Sequence, residues 1–224
     1  MKALTEKHLA ILRRHMVDVI AIHADLSSDE IGKTELDARV IAAMLEVPRH
    51  RFVPGPLAAL AYQDSPLPIG FDKTVSQPFI VALMTDLLAP QPQDSVLEVG
   101  TGLGYQSAVL GKLARQVWSV EIVEEFATAA EVALHQQGYD NITIRTGDGA
   151  RGWKEHAPFD KILVAAASLK PPPALVEQLK PGGRLVAPVG GPDDQRLVLI
   201  RRALDGTLSR EDAGGVRFVP LVPE

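Results

Sequence analysis

The sequence predicts an α/β protein: a mostly parallel sheet, an antiparallel strand near the C-terminus and a helical addition at the N-terminus. Three observations carry that reading. From residue 94 onward, short β-forming runs alternate with stretches of helical spacing, the pattern of strands joined by crossover helices. After the first of those strands come three alternating glycines, Gly100, Gly102 and Gly104. A glycine turn from strand to helix lets backbone approach a ligand closely and aims free N–H groups at it. The first fifty residues, by contrast, repeat apolar side chains at helical intervals.

Each element follows in order. Leu9, Leu12, Met16, Val19 and His23 share one helix face, and residues 25–33 form a polar break. Thr34, with Asp37 three places on, reads as a capped start to a second helix whose stripe is Leu36, Val40, Met44 and Val47. Prolines interrupt residues 48–56, and residues 58–62 read as a short helix. Residues 63–78 are irregular and rich in Pro and Gly, with room for small β segments. Helix returns over 79–88, and 90–93 turn into the glycine strand, where Val96, Leu97 and Val99 are β-formers. Residues 105–114 have helical spacing. Residues 116–122 read as a strand, 124–137 as a helix stopped by Gly138, and 142–145 as a strand ending at Gly147-Asp148-Gly149. Strands follow over 161–166, 184–189 and 197–202, with a helix at 174–179 and a turn at 180–183. Gly206 marks a turn, and 216–222 reads as the last strand.

Composition narrows the chemistry. The 224 residues are 46% hydrophobic and 23% charged, ordinary for one globular domain with additions. There is no cysteine, which excludes disulfides, thiolate metal sites and cysteine nucleophiles. Formal net charge is -5, and basic residues cluster no further than pairs such as Arg13-Arg14, so no nucleic-acid partner is expected. Glu6, Arg13, Arg14 and Asp18 interrupt any apolar run at the start, and no stretch has the length of a membrane span. The expected address is cytoplasmic, with no membrane partner. The six histidines are scattered, and no metal is expected.

The candidate ligand residues gather where an open α/β sheet binds ligands, at the carboxyl ends of its strands. Glu98, Glu121 and Asp148 end three consecutive strands. Glu121 lies about twenty residues past the glycines, where a carboxylate accepts both ribose hydroxyls, a feature shared with nicotinamide-binding chains. The glycine spacing separates the two readings. G-x-G-x-x-G would need glycine at Tyr105, whereas Glu98 followed by Gly100, Thr101, Gly102 and Gly104 resembles the first motif of S-adenosylmethionine methyltransferases. Ser76 sits in a polar loop ahead of a helix, without the G-x-S-x-G of a hydrolase nucleophile.

Together the motifs resemble one family, the protein-L-isoaspartate O-methyltransferases, from about residue 43 to 221. The resemblance rests on Val47-Pro48-Arg49-His50-Arg51-Phe52-Val53-Pro54, on Pro66-Leu67-Pro68-Ile69-Gly70 and on Val75-Ser76-Gln77-Pro78. It continues through the glycine strand with Tyr105, Gly147-Asp148-Gly149, Gln178-Leu179-Lys180-Pro181-Gly182-Gly183 and Phe218-Val219-Pro220-Leu221. It implies a Rossmann-like methyltransferase sheet with a rearranged final strand pair. Residues 1–78 would form a helical region and substrate-covering loop, and 79–224 the core, in one compact unit. It implies S-adenosyl-L-methionine as cofactor, isoaspartyl-containing proteins and peptides as partners, and methyl transfer to the isoaspartyl α-carboxylate by a chain expected to be monomeric. Ser76 takes the active-site serine position. Val75, Ser76, Gln77, Glu98, Gly100, Thr101, Gly102, Gly104, Glu121, Asp148 and Gly149 take cofactor positions. Two departures stand out: Leu103 replaces a usual serine, and Phe71-Asp72-Lys73 replaces a glycine-containing approach to Thr74. The alternatives are a methyltransferase acting on a small molecule, and a cofactor-binding partner or sensor without turnover.

Overall fold

The computed structural model describes residues 4–222. Helix α1 (Glu6–Leu26) is capped by Thr5, whose side chain accepts from the His8 N–H, and buries Leu9, Met16, Val17, Ile20 and Ala24. A short helix α2 (Ser28–Ile31) lies inside the stretch read as a polar break. Helix α3 (Ala38–Glu46) starts later than the sequence suggests. Its cap is Asp37, accepting from the Arg39 N–H, and Thr34 plays no part in it. Two 3₁₀ turns, Arg49–Phe52 and Gly55–Leu60, occupy the proline-broken stretch.

Strands β1 (Leu67–Gly70) and β2 (Lys73–Val75) form a hairpin, and helix α4 (Pro78–Leu88) follows. Then come β3 (Ser95–Val99), α5 (Tyr105–Gly111), β4 (Gln116–Glu121), α6 (Glu124–Gln136), β5 (Ile142–Thr146) and β6 (Phe159–Val164). Helix α7 (Pro173–Glu177) precedes β7 (Leu179–Gly191), β8 (Asp194–Arg202) and β9 (Leu208–Val216). The seven main strands lie in the order β5-β4-β3-β6-β7-β8-β9. The first five are parallel, and β8 and β9 fold back antiparallel. The end of the sheet is therefore a meander in chain order.

Two expectations change here. The turn at 180–183 is absorbed into β7 as a register shift, where Phe159 pairs with Leu179 but Lys161 pairs with Arg184. The last strand is Leu208–Val216, so residues 217–222 lie beyond it. Their backbone crosses the carboxyl ends of the parallel strands: Ala167 N–H donates to Val219 O, and Leu221 N–H donates to Ala167 O. Proline at 220 removes a donor and suits such a crossing better than a ladder position.

Every residue of β3 is buried, as befits the central strand of a sheet covered on both faces. Side chains of α1, α3 and α4 join the core of one face together with Val96, Val109 and Leu163. Among the described residues, no helix is long and apolar enough to cross a membrane.

Candidate active site

The parallel register sets the chemistry at the strand ends. Glu98 on β3 lies opposite Ser119 on β4, so their side chains share a face. The chain then leaves β3 through Gly100, Gly102 and Gly104, with φ of 91°, 54° and 94°. L side chains rarely adopt that region, which accounts for the alternating glycines. The Glu121 carboxylate at the end of β4 fixes the loop. One oxygen accepts from Gly102 N–H at 2.8 Å and the other from Val123 N–H at 3.0 Å.

Around this loop lies a cavity walled by Val99, Gly100, Gly102, Glu121, Phe126 and Gly149 among others. The hairpin covers one side through Ile69, Lys73 and Thr74, and residues 219–222 cover another. The donor set fits S-adenosylmethionine: a strand-end carboxylate, exposed glycine backbone and an apolar wall.

Four sequence-predicted residues, Glu98, Thr101, Gly104 and Asp148, sit behind this wall. Glu98 is 0% exposed and accepts from the hydroxyls of Ser107 and Ser119. Its Oε1 has no partner. With Ser119 donating to Glu98, Thr101 donates to Ser119 at 2.6 Å, so Glu98 reaches the glycine loop through two hydroxyls. Burial pushes the Glu98 carboxyl up to about 7, against the opposing effect of the two serine donors. Asp148 accepts from Ala150 N–H at 2.8 Å and from Arg151 Nε at 3.2 Å, capping the turn that presents Gly149. A Cβ on Gly149 would fall 2.3 Å from Val99, so glycine is needed for that close packing. Gly104 begins α5, where an added Cβ would meet Ala130 and Leu134 at 3.3 Å. It serves packing against α6.

Val75, Ser76 and Gln77 come from the end of β2 and the entry to α4. Helix α4 has no cap of its own, and Asp64 supplies one from a distance, accepting from Phe79 N–H at 2.8 Å and from Gln77 Nε2 at 2.9 Å. His23 of α1 bonds the same carboxylate at 3.0 Å and stacks on Phe79. Ser76 is thereby held between two spaces. One is a small recess shared with Val75, Thr101, Gly102 and Leu103. The other is a larger open cavity bounded by Gln77, Asp194, Arg196, Arg217 and Phe218. Thr74 and Ala165 line both of these and the cavity around the glycine loop as well.

Sequence reasoning missed Phe126, Thr74 and Ala165, which carry no motif chemistry. It also missed Gln195, whose side-chain amide holds both backbone groups of Phe218: Phe218 N–H donates to Oε1 at 2.7 Å, and Nε2 donates to Phe218 O at 3.1 Å. A glutamine inside a β-strand gives no signal of such a clamp.

Comparison with known proteins agrees with this geometry. Residues 24–224 match the family model described as Protein-L-isoaspartate(D-aspartate) O-methyltransferase. The chain is 51% identical over 215 residues to Protein-L-isoaspartate O-methyltransferase 1 of Polaromonas sp., covering 96% of this chain and 91% of the relative. It is 52% identical over 210 residues to Protein-L-isoaspartate O-methyltransferase 2 of Syntrophobacter fumaroxidans, covering 93% and 85%. A solved protein-L-isoaspartate O-methyltransferase superposes with a TM-score of 0.79 at 26% identity over 93% of this chain, which spans 65% of that one. A Plasmodium falciparum chain assigned to the same activity, solved in complex with S-adenosyl-L-homocysteine, gives a TM-score of 0.75 at 24% identity, covering 84% and 92%. On the family model and the two curated relatives together, the chain belongs to the protein-L-isoaspartate(D-aspartate) O-methyltransferase family.

Proposed function

We infer that this chain transfers a methyl group from S-adenosyl-L-methionine to the free α-carboxylate of L-isoaspartyl residues in damaged proteins and peptides. The observation that carries the reading is the position of Ser76, between the glycine-loop recess and the larger open cavity. Bound at the glycine loop, S-adenosylmethionine supplies a methyl group activated by a sulfonium. The rest falls to the chain. Glu121 and the backbone of Gly100 and Gly102 hold the nucleoside end. Glu98 and Thr101 brace the loop from behind, and Asp148 presents Gly149.

An isoaspartyl carboxylate has a pKa of about 4 and is already a nucleophile at neutral pH, so no general base is needed. Its oxygen bonds the methyl carbon as the carbon–sulfur electron pair goes to sulfur. A positive and a negative charge vanish together, so a dry site does not oppose the step. Ser76 has only to orient the carboxylate by donating its hydroxyl. Residues 1–78 act as the helical region and substrate-covering part, and 79–224 as the core. The same proposal holds a cytoplasmic, monomeric enzyme without a nucleic-acid partner, the net charge of -5 supporting the last point.

The deciding experiment offers labelled S-adenosylmethionine with an isoaspartyl peptide and its normal aspartyl twin. Label should enter the isoaspartyl peptide, leave as methanol in mild base and stay near background on the twin. Cofactor binding with neither peptide labelled would remove the reading.

A further inference from the structure

Arg49 has no part in the chemistry above, yet its placement is hard to explain by stability. It is 0% exposed. Its Nε donates to Ala61 O at 2.9 Å and its Nη2 donates to Ser76 O at 2.8 Å. Its guanidinium lies 4.7 Å over the ring of Tyr105, and Nη1 has no partner among the described residues. Among the described residues no carboxylate forms an ion pair with it. A buried cation bonded only to carbonyls is costly, and an apolar side chain of similar volume would do as well for stability alone. What the guanidinium does reach is Ser76.

We propose that Arg49 is a positioning residue for the substrate carboxylate: it fixes Ser76 through the backbone carbonyl and supplies, from behind the loop, the positive charge that favours the bound anion. This rests on the function proposed above. Burial depresses the guanidinium only to about 10, so it stays charged across the working range. The other charged and titratable groups near it are Tyr62, Asp64 and Tyr105. Asp64 is already engaged by His23, Gln77 and Phe79 N–H. On the cavity side stand Asp193, Asp194, Arg196 and Arg217, and Arg196 is paired with Asp212. The charge of Arg49 bonds the Ser76 carbonyl directly and is fully shielded from water. An opposite charge within about 4–6 Å lowers a carboxyl pKa by about one to three units, and a charge set behind the loop exerts the low end of that effect.

The test is a titration of an isoaspartyl peptide labelled with ¹³C at its α-carboxyl, bound to wild-type protein with S-adenosylhomocysteine present. Its midpoint should fall about one unit below that of the free peptide. Arg49→Gln keeps donors but loses charge. It should return the midpoint toward the free value and raise peptide KM about tenfold, the equivalent of one unit, with S-adenosylhomocysteine affinity little changed. Arg49→Lys keeps the charge and should keep the lowered midpoint while losing kcat through a poorer hold on Ser76. A bound wild-type peptide that titrates at or above the free value overturns the proposal alone, and that measurement stands even where Arg49→Gln does not fold. A wild-type protein that neither binds nor methylates the peptide overturns the proposed function as well.

Discussion

At the scale of single residues, the site separates groups that face ligand from groups that brace the ones that do. The proposed function puts Ser76 with the first kind. If it orients substrate without forming a bond to it, Ser76→Ala should fold normally, bind S-adenosylhomocysteine nearly as well as wild type and lose most turnover. Mass spectrometry should find no covalent enzyme intermediate, and wild-type turnover in the variant would reduce Ser76 to a helix-entry residue. Glu98 belongs to the second kind. Its carboxyl is raised to about 7 by burial, so the folded state holds a proton that the unfolded chain gives up near 4.5. Stability is therefore complete below about 4.5 and falls as pH rises toward 7, by on the order of 3 kcal/mol. Glu98→Gln lacks that loss. Denaturant unfolding should show the variant gaining on wild type between pH 5 and pH 8, and a constant difference would mean Glu98 is ionised in the native state throughout.

At the scale of elements, the β1–β2 hairpin is the least relaxed part of the site. Gly70 pairs with Lys73, leaving Phe71 and Asp72 as the two turn residues, at φ of 50° and 54°. Such turns favour Asn-Gly, and a phenylalanine in the left-handed region is strained by about 1–3 kcal/mol. Phe71 nevertheless stands edge-on to Phe126 at 5.4 Å, and Phe126 walls the cavity around the glycine loop. Phe71→Asn should relieve the strain and lose the aromatic contact together. The expected result is a melting temperature unchanged or higher, with S-adenosylhomocysteine leaving about two- to tenfold faster, the equivalent of one aromatic pair. Displacement in a stopped-flow instrument reads this directly. An unchanged off-rate would show that the hairpin tip does not hold the cavity shut.

At the scale of the whole molecule, what was legible in the sequence was what is local. The glycine loop, the strands from Val96 to Val164 and the helices α5 and α6 announce themselves because strand, turn and helix are consecutive and each has its own period. The family resemblance reached Ser76 and the proline-rich segments, which no periodicity marks. Illegible were the features set by distant partners. Residues 180–183 look like a turn, and only pairing with β6 and β8 draws their neighbours into one long strand. Residues 216–222 read as the last strand, but the ladder ends at Val216 and the rest is drawn across the sheet by Ala167 and Gln195. Arg49 stands in the sequence only as one residue of the proline-rich segment, and its burial is set by the fold. The walls shared by all three cavities have a kinetic meaning. Thr74 and Ala165 touch each space, so the proposed function expects donor and acceptor to occupy the protein at the same time. Initial-rate plots should intersect, as for a ternary complex, with no half-reaction in the absence of peptide. A methyl group made chiral with hydrogen isotopes should arrive with its handedness inverted, the record of a single displacement. Parallel plots or retained handedness would require a carrier on the protein.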